Sequence, residues 1–169
     1  MNTRTGLFTV SGLLVMLLLS ACAASGGPAA EGPAPSVGGG PIEGTWIDAD
    51  VNGDSVTIER ATVDELIDTH FSVKLPDRKL DFMAYLLGDS LYVRANACPP
   101  CHSIGFSLDG TTLVCDMCAT TFDARTGAGI QGACVDYPKA EVSYTDVDGL
   151  ISMSVKDLVR AYDDTLVKG

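Results

Sequence analysis

The chain has 169 residues and a formal net charge of −11, room for one domain of ordinary size with short flanking segments. The acidic balance argues against nucleic acid or an anionic lipid surface as direct partner, and favours cations, a basic protein or simple solubility. Six cysteines are too few for a disulfide scaffold of this length, and four of them stand in two pairs.

Taken in order, the chain opens with Arg4 and a mostly apolar run from Leu7 to Leu19, the pattern of an export signal. Leu19-Ser20-Ala21-Cys22 follows, and it resembles the lipobox of bacterial lipoproteins. The resemblance implies removal of a signal peptide, 1–21, and lipidation of the Cys22 thiol, with acyl chains supplying a stable anchor. Residues 22–41 are rich in Gly and Pro with a single charge, Glu31, and form a flexible tether. The expected location is the cell envelope, lipid-anchored to the outer face of a membrane, with a β-rich domain over 42–169.

Within that domain Trp46 is expected in the core or as a lid. Asn52-Gly53-Asp54 is a turn signal, and Ser55 to Glu59 alternates as a half-buried strand does. Val63 to Thr69 is ambiguous, with Val63, Leu66 and Ile67 spaced for one helical turn. His70 to Leu75 alternates again, placing Phe71, Val73 and Leu75 on one face. Leu80 to Leu87 is almost wholly apolar, and the Gly88-Asp89-Ser90 turn before Leu91-Tyr92-Val93 makes it one arm of a hairpin. Phe106 to Val114 reads as a second hairpin with Asp109-Gly110 at its tip. Val147 to Leu158 loosely echoes Val51 to Leu66, as a duplicated unit or by chance. Arg160 to Gly169 is polar and is expected to fray.

Cys98-Pro-Pro-Cys101-His102 is followed by Cys115-Asp-Met-Cys118, and thirteen residues separate Cys101 from Cys115, the length of the second hairpin and its flanks. Two residues between cysteines let one tight turn aim both sulfurs at one ion, and two such turns offer four thiolates in a tetrahedral cage. Zinc, a single iron and an iron–sulfur cluster all suit that donor set. Other readings compete. Cys98-Pro-Pro-Cys101-His102 satisfies the c-type haem pattern, but leaves Cys115 and Cys118 without a role. A thioredoxin-like dithiol needs a helix start that Pro99-Pro100 suits poorly. Structural disulfides, or a carrier binding copper or iron directly through thiolates, are also compatible. Zinc-ribbon turns usually have Gly after the second cysteine; here His102 and Ala119 stand there. Cys134 is a fifth thiol, and either it or His102 is a candidate additional ligand.

The stretch Cys115-Asp-Met-Cys118-Ala-Thr-Thr-Phe122-Asp123-Ala-Arg-Thr126-Gly127 resembles the second cluster loop of Rieske proteins, with cysteine for histidine at 118. A nearer resemblance is to the FtrD-like membrane iron–sulfur proteins. It rests on Ala97-Cys98-Pro-Pro-Cys101, Leu113-Val114-Cys115-Asp-Met-Cys118, Phe122 and Gly132-Ala133-Cys134. It implies a mainly β, Rieske-like β-sandwich with a small metal-binding lobe at 95–137, built from the two C-x-x-C loops. It also implies an iron–sulfur cluster held by Cys98, Cys101, Cys115 and Cys118, with zinc the alternative cofactor. Phe106 and Phe122 are candidates to shield the centre, and Asp123 to cap its turn. The expected role is electron transfer to a redox or iron-transport partner, in ferrous-iron uptake or an extracytoplasmic redox chain. The alternative is a structural zinc or thiolate metal-carrier module docking a membrane partner. No nucleophile–base pair or phosphate loop is visible, so no enzyme activity is expected.

Overall fold

The computed structural model describes residues 40–169. The expected signal peptide, the lipidation site Cys22 and nearly all of the tether lie outside them.

Three small sheets make up the described part, and strand far outweighs helix. The first sheet is formed by β2 (Thr45–Ile47), β5 (Asp68–Lys74), β6 (Lys79–Leu87) and β7 (Ser90–Ala95), in the order β2-β5-β6-β7. Its β2–β5 pair is parallel and the other pairs are antiparallel. The apolar run of β6 is explained by its position. Leu80, Phe82, Ala84 and Leu86 face one core, while Met83, Tyr85 and Leu87 face a second core on the opposite side. A strand buried on both faces has no solvent side to mark with polar residues.

The second sheet has the order β12-β13-β4-β3, from β3 (Asp50–Asn52), β4 (Ser55–Glu59), β12 (Tyr144–Val147) and β13 (Leu150–Ser154). The echo between the two ends of the domain is structural. Each end is a hairpin followed by a helix, α1 (Arg60–Leu66) or α2 (Val155–Thr165), and β4 pairs with β13 with Ile58 opposite Ile151. The first residue of each helix donates to the other hairpin's turn, Arg60 N–H to Gly149 O at 2.9 Å and Val155 N–H to Asp54 O at 2.9 Å. These hairpins and helices close the first core around Phe71, Phe82, Ile58, Ile151 and Leu158. Each such large apolar side chain contributes about 2 kcal/mol by its burial.

The third sheet belongs to the metal-binding lobe: β1 (Ile42–Glu43), β8 (Phe106–Asp109), β9 (Thr112–Cys115), β10 (Thr121–Asp123) and β11 (Gly129–Gln131), in the order β1-β8-β9-β10-β11. Its core holds Phe106, Leu108, Leu113, Phe122 and Ala124, with the buried sulfurs of Cys98, Cys115 and Cys134 among them.

Two local expectations are corrected. Trp46 is 46% exposed and lays its ring edge-on to His70, at 5.3 Å between centroids, instead of entering the core. Residues 160–165 continue α2 instead of fraying, because Leu158, Ala161 and Thr165 recur at helical spacing and are buried. Its start is capped by Ser154 Oγ, which accepts from Asp157 N–H at 3.0 Å.

Candidate metal centre

Each cysteine pair occupies a turn of the same construction. His102 N–H donates to Cys98 O at 2.8 Å, and Ala119 N–H donates to Cys115 O at 2.9 Å. Cys98 N–H donates to Ser103 O, and Cys115 N–H to Thr120 O, both at 2.9 Å. The residue after the second cysteine takes a left-handed backbone in both turns, φ 59° at His102 and 55° at Ala119. Glycine is the residue that adopts this conformation without strain. The lack of glycine at 102 and 119 therefore does not distinguish these turns from those of zinc ribbons; the geometry is formed at the cost of some strain.

The two turns bring four sulfurs together. One Sγ from each of Cys98, Cys101, Cys115 and Cys118 lies within 4.8 Å of all the others, and Cys101 and Cys115 approach to 3.7 Å. Sulfurs at about 2.3 Å from a tetrahedral ion stand about 3.8 Å apart. The donor chemistry suits zinc, iron or an iron–sulfur cluster equally, and the spacing matches a single ion most directly. A cluster requires the loops to spread. Cys98 and Cys115 are buried, whereas Cys101 and Cys118 are half-buried. The centre thus has an inner edge against the lobe core and an outer edge near solvent.

Cys134 lies outside the set of four, with its Sγ 3.7 Å from that of Cys118 and its N–H donating to Thr120 Oγ1 at 3.3 Å. His102 is exposed and lines a shallow groove with Ile104 and Met117, again outside the set. Phe106 and Phe122 are fully buried beside the inner sulfurs and pack edge-to-face at 5.8 Å. Asp123 caps its turn: Oδ1 accepts from Arg125 N–H at 3.0 Å, Thr126 N–H at 2.7 Å and Thr126 Oγ1–H at 2.9 Å.

The sulfurs differ electrostatically. Burial pushes the Cys98 thiol far up, and hydrogen bonds with Cys101 and Cys134 add to the rise. Burial also raises Cys115, against hydrogen bonds from Ser103 and from the amides of Cys118 and Met117. At Cys118 burial works upward but is overcome by hydrogen bonds with Thr120, Cys115 and Cys101, which bring it down to about 6. The first turn lacks the equivalent of the Met117 amide at Cys115, because Pro100 carries no N–H.

Several residues at the site have no signature in the cysteine spacing. Ser103 and Thr120 are equivalent hydroxyls that touch sulfur, and the shared pattern C-x-x-C-x-Ser/Thr is the signal that marks them. Lys139 is fully buried and donates from Nζ to Ala97 O at 2.6 Å. Burial pushes its ammonium down, and the charges of Cys98, Cys115, Cys134 and Cys101 push it back up. Arg94 on β7 donates to Tyr85 Oη at 3.0 Å, to Lys139 O at 2.8 Å and to Arg125 O. Tyr85 in turn donates to Ala124 O at 2.6 Å. This buried clamp fastens the lobe to the first sheet.

The chain is a mainly β domain of Rieske-like fold with a distinct lobe that gathers four cysteine thiols able to hold a metal. The chain aligns at TM-score 0.50 and 20% identity with a chain of "Complex of reduced oxygenase and oxidized ferredoxin in carbazole 1,9a-dioxygenase", over 62% of this chain and 95% of that one. The ferredoxin of carbazole 1,9a-dioxygenase from Nocardioides aromaticivorans IC177 aligns at TM-score 0.43 and 23% identity, over 58% of this chain and 96% of that one. No curated protein matches. The model of the family described as "Membrane iron-sulfur containing protein FtrD-like" matches residues 67–163, and the chain belongs to that family. The matched region contains all four clustered cysteines and Cys134. The family is described as a membrane one, while among the described residues no helix is long and apolar enough to cross a membrane.

Proposed function

We propose that the protein is a membrane-anchored electron carrier whose iron–sulfur centre is held by Cys98, Cys101, Cys115 and Cys118. The observation that carries this reading is the gathering of four sulfurs from two equivalent turns within 4.8 Å of one another, in a chain of the iron–sulfur family. Iron held there supplies a one-electron couple. The protein's own part is to exclude water and to hold the donors. Phe106 and Phe122 close the inner side, and the Met117 and Cys118 amides and the Ser103 hydroxyl stabilise the Cys115 thiolate.

Electrons leave by the outer edge, where Cys101 and Cys118 are half-buried and the loop tips present Ile104 and Met117, the latter 66% exposed. A redox or iron-transport protein docks on these tips, and the protein carries electrons without being an enzyme. The lipid anchor at Cys22 and the Gly/Pro-rich tether hold the domain at the outer face of a membrane.

A second reading, a single thiolate-bound ion (iron or zinc), is favoured by the 3.7 Å separation of Cys101 and Cys115. One experiment decides between them. The full chain is purified anaerobically, its iron, zinc and acid-labile sulfide are counted, and its spectrum is recorded before and after reduction. Iron with sulfide, a visible band and an EPR signal on reduction support the cluster, and Cys115→Ser bleaches it. Iron without sulfide supports a one-ion carrier. One colourless zinc per chain overturns electron transfer.

A further inference from the structure

Lys139 lies in a loop beyond the metal-binding turns, yet its side chain ends in the lobe core. It is 0% exposed, and its Nζ sits 4.5 Å from the centroid of the Phe122 ring and 5.3 Å from that of Phe106. The one hydrogen bond of its Nζ among the described residues is to Ala97 O, the carbonyl just before Cys98. Among the described residues no carboxylate lies within ion-pair distance of it. An ammonium buried without a counter-charge is among the most expensive placements in a protein. Two aromatic faces and one carbonyl offset only part of that cost.

The missing negative charge is at the cysteines. Four thiolates exceed the charge of a di- or trivalent ion or of a common iron–sulfur core, so the loaded centre is anionic whichever of these it holds. The first turn is the one in need of a positive group. Pro100 denies Cys98 the equivalent of the amide donor that Cys115 receives from Met117. Lys139, anchored on the residue before Cys98, stands on that side.

We propose that Lys139 is the fixed counter-charge of the metal centre, a positioning residue that holds the anionic thiolate cage in place and favours its more negative, reduced form. The redox half of this statement rests on the electron-carrier reading above; the charge half holds for zinc as well. Reduction adds one negative charge to the centre, and a cation buried beside it stabilises that charge in a medium that screens poorly.

The test uses the full chain, wild type beside Lys139→Met, which keeps length and loses charge, and Lys139→Gln, which keeps a donor for Ala97 and loses charge. With native iron, the midpoint potential is followed by EPR. The neutral variants shift the reduced-to-oxidised ratio at a fixed potential by about tenfold toward the oxidised form, about 59 mV for one electron. With zinc reconstituted, loss of metal to a chelator is about tenfold faster in the variants. Melting adds a readout that plain packing does not produce: Lys139→Met lowers the melting temperature of the loaded protein and raises that of the chelated protein, where the ammonium has lost its counter-charge. A variant that folds, keeps the wild-type potential and releases zinc at the wild-type rate overturns the proposal, as does destabilisation of loaded and chelated forms alike. If the native metal is zinc, the electron-carrier reading fails, and the chelator comparison still decides the role of Lys139.

Discussion

Asp68 on β5 is fully buried, and neither carboxyl oxygen has a hydrogen-bond partner. Its Oδ1 faces the equally buried His70 Nε2 at 3.7 Å. Burial, reinforced by the charge of Asp116, holds the Asp68 carboxyl well above the usual carboxylate range. Burial lowers His70 to about 4, against the upward pull of Asp116, a hydrogen bond with the backbone of Phe106, and Asp81. His70 is therefore neutral at pH 7, and Asp68 holds its proton to a higher pH than an exposed carboxylate does. A carboxyl with a raised folded pKa keeps its proton in the native state after the unfolded chain has released it. Its stabilising contribution is complete below the unfolded value, about 3.9, and is lost as pH rises through the folded value. In that window Asp68 alone costs about 1.4 kcal/mol of stability per pH unit. Asp68→Asn supplies a neutral side chain of the same shape that can donate to His70. It should match the wild type near pH 4 and exceed it at pH 7, with the gap widening between. Urea unfolding at steps from pH 4 to pH 8, with the m-value checked for constancy, measures this. A variant less stable than wild type at pH 7 would refute the reasoning, because it would mean that Asp68 is ionised and paired with a charged His70.

Three further substitutions address the lobe. Tyr85→Phe removes the hydroxyl shared by Arg94 and Ala124 and leaves both without it in a dry interior. The expected loss is about 2–4 kcal/mol by urea titration, and a change under about 0.5 kcal/mol would show that the clamp is not closed. Gly127→Ala forces a Cβ into the Lys139 carbonyl and to 2.8 Å from Arg94 Nη1, at φ +76°. It should destabilise by more than about 3 kcal/mol and release metal, read together by melting and metal analysis. Ala119→Gly relieves the left-handed residue after Cys118 and should stabilise the protein by about 1 kcal/mol, seen as a melting temperature several degrees higher. A lower melting temperature would mean that the Ala119 methyl group contributes more by packing than the backbone loses by strain.

The parts of this structure visible in the sequence are those set by neighbours along the chain. Asp109-Gly110 dictates a hairpin tip, Gly53-Asp54 another, and two C-x-x-C turns at the ends of one hairpin must meet. Ambiguity arose where a segment lacked one clear period. Arg60–Leu66 is a helix with Val63 as its buried residue, too little apolar surface to show a stripe. The end of α2 was hidden by Arg160, Asp163 and Asp164, which outnumber the small residues Ala161 and Thr165 that it buries. Lys139 and Arg94 were invisible for a different reason. Their hydrogen-bond partners lie 42 and 45 residues away, Ala97 for the lysine and Lys139 O for the arginine, and a charged residue is by default a surface residue.

The use of β6 bears on how the centre behaves. Phe82 and Met83 are adjacent in sequence but belong to different cores, so one strand is the common wall of the sheet domain and the metal-binding lobe. Tyr85 on that wall, Arg94 on the next strand and the Ala124–Arg125 turn lock the lobe at buried hydrogen bonds. The sulfurs thus hang from strand ends backed by a continuous packed interior, and the loop tips with His102, Ile104 and Met117 reach solvent. Packed interiors resist displacement, whereas exposed tips are free to adapt. On the proposed electron-carrier role, a site that changes charge without changing shape while meeting a partner needs that division of stiffness. In this lobe it follows from the placement of one nine-residue strand between two hydrophobic clusters.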